Sequence, residues 1–215
     1  MAESHAGLLV VFEGIDGAGT TTQCENYAAY LRGVERPSFV THQPSSGPVG
    51  SLLRQGLTQR VELGGAATMA LLFAADRLDH LHHTVAPHLV RGEVVCCDRY
   101  DLSSIAYQSA TADGESDFAD WVRTLNRHAR RPDVTVVLDV EPEVAASRRA
   151  RRRQAAELYE EDVIQRRLAA LYENAETLVP GDRIVHIDGN GPLATVEHAV
   201  REALRPFVFG AAPPP

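Results

Sequence analysis

This chain has no uninterrupted run of roughly 18 apolar residues and no signal-peptide pattern at its N-terminus. A membrane-spanning helix is not expected, and a soluble protein of the cytoplasm is. Cysteine is scarce: Cys24, Cys96 and Cys97 form neither a disulfide framework nor a metal-ligand spacing, so buried thiols in a reducing compartment are the expectation. An excess of positive charge is also missing. The formal net charge of −8 argues against an extended nucleic-acid footprint, which needs clustered positive surface. There is no internal repeat. What is present is a 215-residue chain, 44% hydrophobic, long enough to bury a substantial core. It reads most simply as one domain over 1–209 with a loose proline-rich tail at 210–215.

Buried-strand runs recur at Leu8 to Phe12, Val94 to Cys97, Val134 to Leu138 and Ile184 to Ile187, with a weaker one around Phe39-Val40. Longer amphipathic stretches separate them. Helix is predicted from about Ala66 to Val90, bent or interrupted near Pro87, from Asp117 to His128, after Pro142, and from about Tyr159 to Leu178. Such alternation specifies an α/β fold, a parallel sheet wrapped by helices.

Between the first strand and the next helix lies Gly14-Ile15-Asp16-Gly17-Ala18-Gly19-Thr20-Thr21, followed by Thr22. It matches the phosphate-loop pattern G-x-x-x-x-G-K-[ST] at both glycines and at the last hydroxyl, but Thr20 stands where the pattern has lysine. Most of such a cradle is backbone N–H aimed from a helix N-terminus, so it survives the substitution. Thr21 offers a hydroxyl to Mg²⁺, and Thr20 a neutral hydrogen bond without charge.

Asp98-Arg99-Tyr100 closes a strand at the carboxyl edge, where α/β sheets collect ligands. A carboxylate there can hold Mg²⁺, and an arginine beside it can clamp a phosphate. Phe73 and Arg77, four apart, share a helical face and offer a stacking ring and a guanidinium. Arg148, Arg149, Arg151, Arg152 and Arg153 form a cluster that suits a compact polyanion such as a nucleoside triphosphate, or else a solvated helix face.

Taken in order, Phe12-Glu13-Gly14-Ile15-Asp16-Gly17-Ala18-Gly19, Leu72-Phe73-Ala74-Ala75-Asp76-Arg77, Cys97-Asp98-Arg99-Tyr100 with Ser103-Ser104 and Ala106-Tyr107-Gln108, Pro132-Asp133 and Leu138 to Glu143 resemble thymidylate kinases, in the P-loop nucleoside-monophosphate kinase superfamily. The resemblance runs from about Gly7 to Leu204. It implies a three-layer fold around a five-stranded parallel sheet, with an arginine-rich lid at about 147–157. It also implies transfer of phosphoryl from ATP to dTMP with Mg²⁺, by a homodimer. Phe73 would stack on the pyrimidine, Arg77 and Arg99 would hold the acceptor phosphate, and Ser104, Tyr107 and Gln108 would line the base side. Asp16 would approach the 3′-hydroxyl, and Tyr100 would pack near C2′. Asp98 and Glu13 are the implied acids for Mg²⁺ or its waters. With no arginine in the loop, the catalytic cation is implied to come from the lid, Arg149 and Arg153 leading. The segment Thr41-His42-Gln43-Pro44-Ser45-Ser46 departs from the family's Arg-Glu-Pro-Gly type. Two alternatives therefore stay open: a kinase for another or modified pyrimidine nucleotide, and a nucleotide-binding homologue with weakened catalysis.

Overall fold

The computed structural model describes residues 6–111, 117–151 and 162–210. The first element is β1 (Leu8–Gly14), which feeds the glycine loop and then α1 (Thr20–Gly33). Strand β2 (Ser38–His42), helices α2 (Pro48–Leu57) and α3 (Ala66–His80), a π-helical turn (Leu81–Val85) and α4 (Ala86–Val90) lead to β3 (Val94–Asp98). Helices α5 (Asp101–Thr111) and α6 (Phe118–Leu125) precede β4 (Val134–Asp139). Then come α7 (Pro142–Arg151), α8 (Asp162–Glu173), the short α9 (Ala175–Leu178), β5 (Ile184–Asp188) and α10 (Leu193–Phe209).

The five strands form a parallel sheet in the order β2-β3-β1-β4-β5. Both faces are covered, as the unbroken apolar runs require. Val10, Phe12, Val94 and Cys96 join a core with Cys24, Tyr27 and Leu31 of α1, whereas Leu9, Val11, Val95 and Cys97 pack with Leu81, Val85 and Tyr100. All three cysteines are buried and unpaired, as expected.

Because β3 intervenes between β1 and β2, the chain reverses its direction of winding beside β1. Register levels the strand ends there: Phe12 and His42 both pair with Asp98. A crevice at such a switch point is where open α/β sheets bind ligands.

The interruption expected near Pro87 lies just before it, in the π-turn Leu81–Val85. Proline has no N–H for the carbonyl four residues back and its ring crowds that carbonyl, so the preceding turn widens. The long helix expected to Leu178 breaks at Asn174, outside helical angles at φ −117°, ψ 36°. Residues 159–161 of that expectation lie outside the described residues.

Candidate active site

A cavity of about 700 Å³ opens at the level strand ends. The loop forms one wall through Asp16, Gly17, Gly19, Thr20 and Thr21. Gly19 caps α1 in the left-handed region at φ 99°, ψ 18°, which turns the first N–H groups of the 14-residue helix toward the cavity. The first turn of α1 carries no acid, so nothing there competes with an incoming anion. Gly17 is required twice over. Its φ is 91°, and a Cβ would lie 2.5 Å from the Ala145 carbonyl of α7. Ile15 and Ala18 are buried behind the loop. Gly14 and Thr22 are not part of the cavity wall.

Thr21 and Asp98 meet across the cavity floor, the Thr21 hydroxyl donating to Asp98 Oδ2 at 2.5 Å. Asp98 Oδ1 is buried without a hydrogen-bond partner. An orphaned carboxylate oxygen beside a hydroxyl fits a hard divalent cation or its waters. Among the described residues no group of three His, Cys, Asp or Glu side chains could hold a metal.

Arg99 follows Asp98 in the left-handed region at φ 70°, turning its guanidinium back under the loop. It donates to the Gly14 carbonyl at 2.5 Å and to Asp16 Oδ1 at 2.7 Å. Gln165 of α8 holds Asp16 from the other side, through Asp16 Oδ2 at 2.9 Å and the Asp16 N–H at 3.1 Å. Glu13 is placed differently from the metal role the resemblance implies. It is fully buried and absent from the cavity wall, and both its oxygens accept protein donors: the N–H groups of Tyr100 and Ser103, the Ser103 hydroxyl at 2.5 Å and the Tyr172 hydroxyl at 2.9 Å. Burial pushes its pKa up, against the pull of Arg99 and these hydrogen bonds. Its geometry orients the start of α5.

On the opposite wall stand Phe73, Arg77, Tyr100, Ser104, Tyr107 and Gln108. Arg77 is 1% exposed and donates to four neutral acceptors: Gln43 Oε1, Asn126 Oδ1, the Tyr100 carbonyl and Ser104 Oγ. Its guanidinium lies 5.2 Å from the Tyr100 ring centroid, while the Tyr100 hydroxyl donates away from the cavity to the Arg130 carbonyl. His42 and Gln43 also line the cavity, at the end of β2.

From α7, Arg149 Nη1 donates to the Asp16 carbonyl at 2.6 Å and Arg148 Nη1 to the Ala18 carbonyl at 3.2 Å. Arg149 lines the cavity and Arg151 is exposed. Arg152 and Arg153 lie outside the described residues.

The sequence reading missed Gln165, Tyr172 and Asn126. Gln165 and Tyr172 sit seven apart on α8 with Leu168 between them, all three buried. A glutamine on the buried stripe of an amphipathic helix was the available signal.

Residues 12–200 match the family model described as thymidylate kinase. The chain is 43% identical over 151 residues to a thymidylate kinase of Bifidobacterium longum, covering 66% of this chain and 71% of that one. It is 39% identical over 203 residues to one of Thermomicrobium roseum, covering 89% and 91%. A thymidylate kinase of Verminephrobacter eiseniae is 34% identical over 211 residues, covering 94% and 92%. With the phosphate loop, the Thr21–Asp98 pair and the aromatic wall on one cavity, and with matches along nearly its whole length, the chain belongs to the thymidylate kinase family.

Proposed function

We infer that this protein transfers the γ-phosphoryl group of ATP to dTMP, giving dTDP and ADP. The observation that carries the reading is the shared cavity: a helix-capped phosphate loop, a Thr–Asp pair for a divalent cation, and an aromatic-lined pocket open into one another at the sheet's switch point. Phosphoryl transfer needs alignment and charge neutralisation more than covalent chemistry, and this arrangement offers both.

In this reading the loop amides of Gly17 to Thr21 hold the donor phosphates. Thr21 and Asp98 would hold Mg²⁺, which when bound neutralises charge on the donor phosphates. Phe73 stacks on the pyrimidine, with Ser104, Tyr107 and Gln108 on its edge. The buried Arg77, whose hydrogen-bond acceptors among the described residues are neutral, and Arg99 draw the acceptor phosphate inward. Asp16, steered by Arg99 and Gln165, faces the sugar. Tyr100 packs against it. Arg149, with Arg153, carries charge stabilisation of the transferring group. We place this activity on a single domain of residues 1–209, in a cytoplasmic homodimer. Leu71 and Leu78, two turns apart on α3 and both exposed, support a partner surface there. Among the described residues no helix is long and apolar enough to cross a membrane.

A coupled ADP assay with ATP and dTMP, dUMP or dCMP tests the reading. The expected result is highest turnover on dTMP, with Asp98→Asn slower by about 10²–10³. No turnover of any pyrimidine monophosphate overturns it. His42 and Gln43, in the cavity wall where the family carries a basic and an acidic residue, favour a second reading, in which dUMP or dCMP is preferred.

A further inference from the structure

Arg77 is held so that one of its donors stays available. A guanidinium carries N–H groups on all three nitrogens, one on Nε and a pair on each Nη. Arg77 places Nε–H on Gln43 Oε1 at 2.9 Å, one Nη1 donor on Asn126 Oδ1, and both Nη2 donors on the Tyr100 carbonyl and Ser104 Oγ. Among the described residues, the second Nη1 donor is left for a ligand, and Arg77 lines the cavity. Nε–H lies in the guanidinium plane, so the partner of Nε fixes how that plane is turned.

That partner has a single workable orientation. An arginine Nε–H can only donate, so the Gln43 oxygen faces Arg77 and the amide nitrogen faces away. The amide nitrogen meets His80 Nδ1 at 3.2 Å, and Nδ1 must therefore accept. Neutral His80 then carries its proton on Nε2 and donates it to Thr41 Oγ1 at 2.7 Å. Turned the other way, the amide would set N–H against N–H at Arg77. His80 closes α3 where the π-turn begins and is not in the cavity wall. Its path to a bound nucleotide runs through Gln43, which does line the cavity.

Burial pushes the His80 pKa down; Asp76 and Asp79 of its own helix pull it up, and His42 of β2 and Arg77 push it down further. Cys97 of β3, in the core with Leu81 and Val85, is kept a neutral thiol by burial. On the helices packed against α3, Arg54 of α2 donates to the Pro44 carbonyl, Asp101 of α5 pairs with Arg131, and Asp120 of α6 pairs with Arg123. The neutral ring that the hydrogen bonds require is thus the form present at pH 7.5.

We propose that His80 is a positioning residue for the acceptor nucleotide: by fixing the Gln43 amide it sets the plane of Arg77 and so the direction of the donor left for that nucleotide. The proposal rests on the phosphoryl-transfer reading of the same cavity. A proton on His80 Nδ1 turns the amide contact repulsive and releases Nε of Arg77. The acceptor side then loosens, while the phosphate loop, which none of these residues touches, keeps its hold on ATP.

Calorimetry with dTMP and with ATP tests this on the native protein, His80→Leu, Gln43→Leu and the double variant. Each single change is expected to weaken dTMP about tenfold and ATP by less than about twofold. The double change should cost about as much as one alone, because both act through Arg77. His80→Gln, which can accept from Gln43 and donate to Thr41, should recover most of the dTMP affinity lost in His80→Leu. As pH falls through the His80 midpoint, read by NMR, the native protein should lose at least about threefold more dTMP affinity than His80→Gln. The nucleotide's own phosphate titrates alike in both, so their ratio reports the ring. Additive losses, equal weakening of ATP, no recovery in His80→Gln, or equal pH dependence overturn the proposal. Should a leucine variant fail to fold by circular dichroism, the comparison of native protein with His80→Gln across pH decides. Should dTMP, dUMP and dCMP all fail to bind, the kinase reading falls and the Arg77 Nε–H resonance decides the positioning. Below the His80 midpoint its hydrogen exchange should be faster in the native protein than in His80→Gln, and equal exchange overturns the proposal.

Discussion

His80 shows how a single residue couples solution pH to the site. Its Nδ1 accepts from Gln43 Nε2 at 3.2 Å and its Nε2–H donates to Thr41 Oγ1 at 2.7 Å, while Gln43 Oε1 holds Arg77 Nε at 2.9 Å. A proton on Nδ1 would face the amide's own donor. Burial lowers the His80 pKa, offset by Asp76 and Asp79 and reinforced by His42 and Arg77. Below the ordinary histidine value of about 6.5 the unfolded chain therefore binds a proton that the folded chain refuses. Stability present above that pH is lost as pH falls through the folded value. Thermal melts at pH 7.5 and 5.5 should show a smaller drop for His80→Gln than for the native chain, and equal drops would refute the assignment. Single residues were also where sequence reading succeeded most unevenly. Asp98 and Phe73 were legible because strand ends and helical spacing place them, whereas Glu13 reads as an acid beside a loop and only its four donors reveal a brace.

At the scale of elements, the loop and α7 behave as one unit. Arg148 and Arg149 grip the Ala18 and Asp16 carbonyls, and the Ala145 carbonyl sits where a side chain on residue 17 would go. Gly17→Ala adds a Cβ at φ 91° into a 2.5 Å contact, so α7 must withdraw from the loop. The expected cost is about 1–3 kcal/mol, a melting decrease of roughly 2–12 °C, with a higher KM for ATP. A variant melting within 1 °C of the native protein, at unchanged ATP KM, would show that the contact is slack. Helices α2, α5 and α10 went unpredicted, while the strands were readable from their apolar runs and the start of α7 from Pro142 at its first turn. The π-turn was not, because widening before Pro87 depends on keeping both Leu81 and Val85 against β1 and β3. Gln165 and Tyr172 escaped because their partners lie 149 and 159 residues away.

Across the whole molecule, the sheet buries its thiols on both faces: Cys24 and Cys96 in one core, Cys97 in the other. Burial pushes the Cys96 thiol up to about 12 and raises Cys24 and Cys97 as well. A thiol-reactive disulfide reagent at pH 8 should modify none of the three in the native protein and all three in denaturant, since the thiolate is the nucleophile. Rapid modification of even one without denaturant would mean that the sheet opens locally.

The sequence by itself determined the alternating α/β pattern, the five strands, the glycine loop with threonine at position 20, and an arginine-rich stretch after Pro142. These are local properties, written in the period of apolar residues and in what glycine and proline allow. The tertiary structure decided which charges face the nucleotide cavity. Strand order put β3 beside β1, so Asp98 meets Thr21 across 77 residues of chain, and helix packing laid Arg149 over Gly17. Whether a guanidinium serves a phosphate, a carbonyl or solvent depends on its neighbours in space, and spacing along the chain carries no record of them.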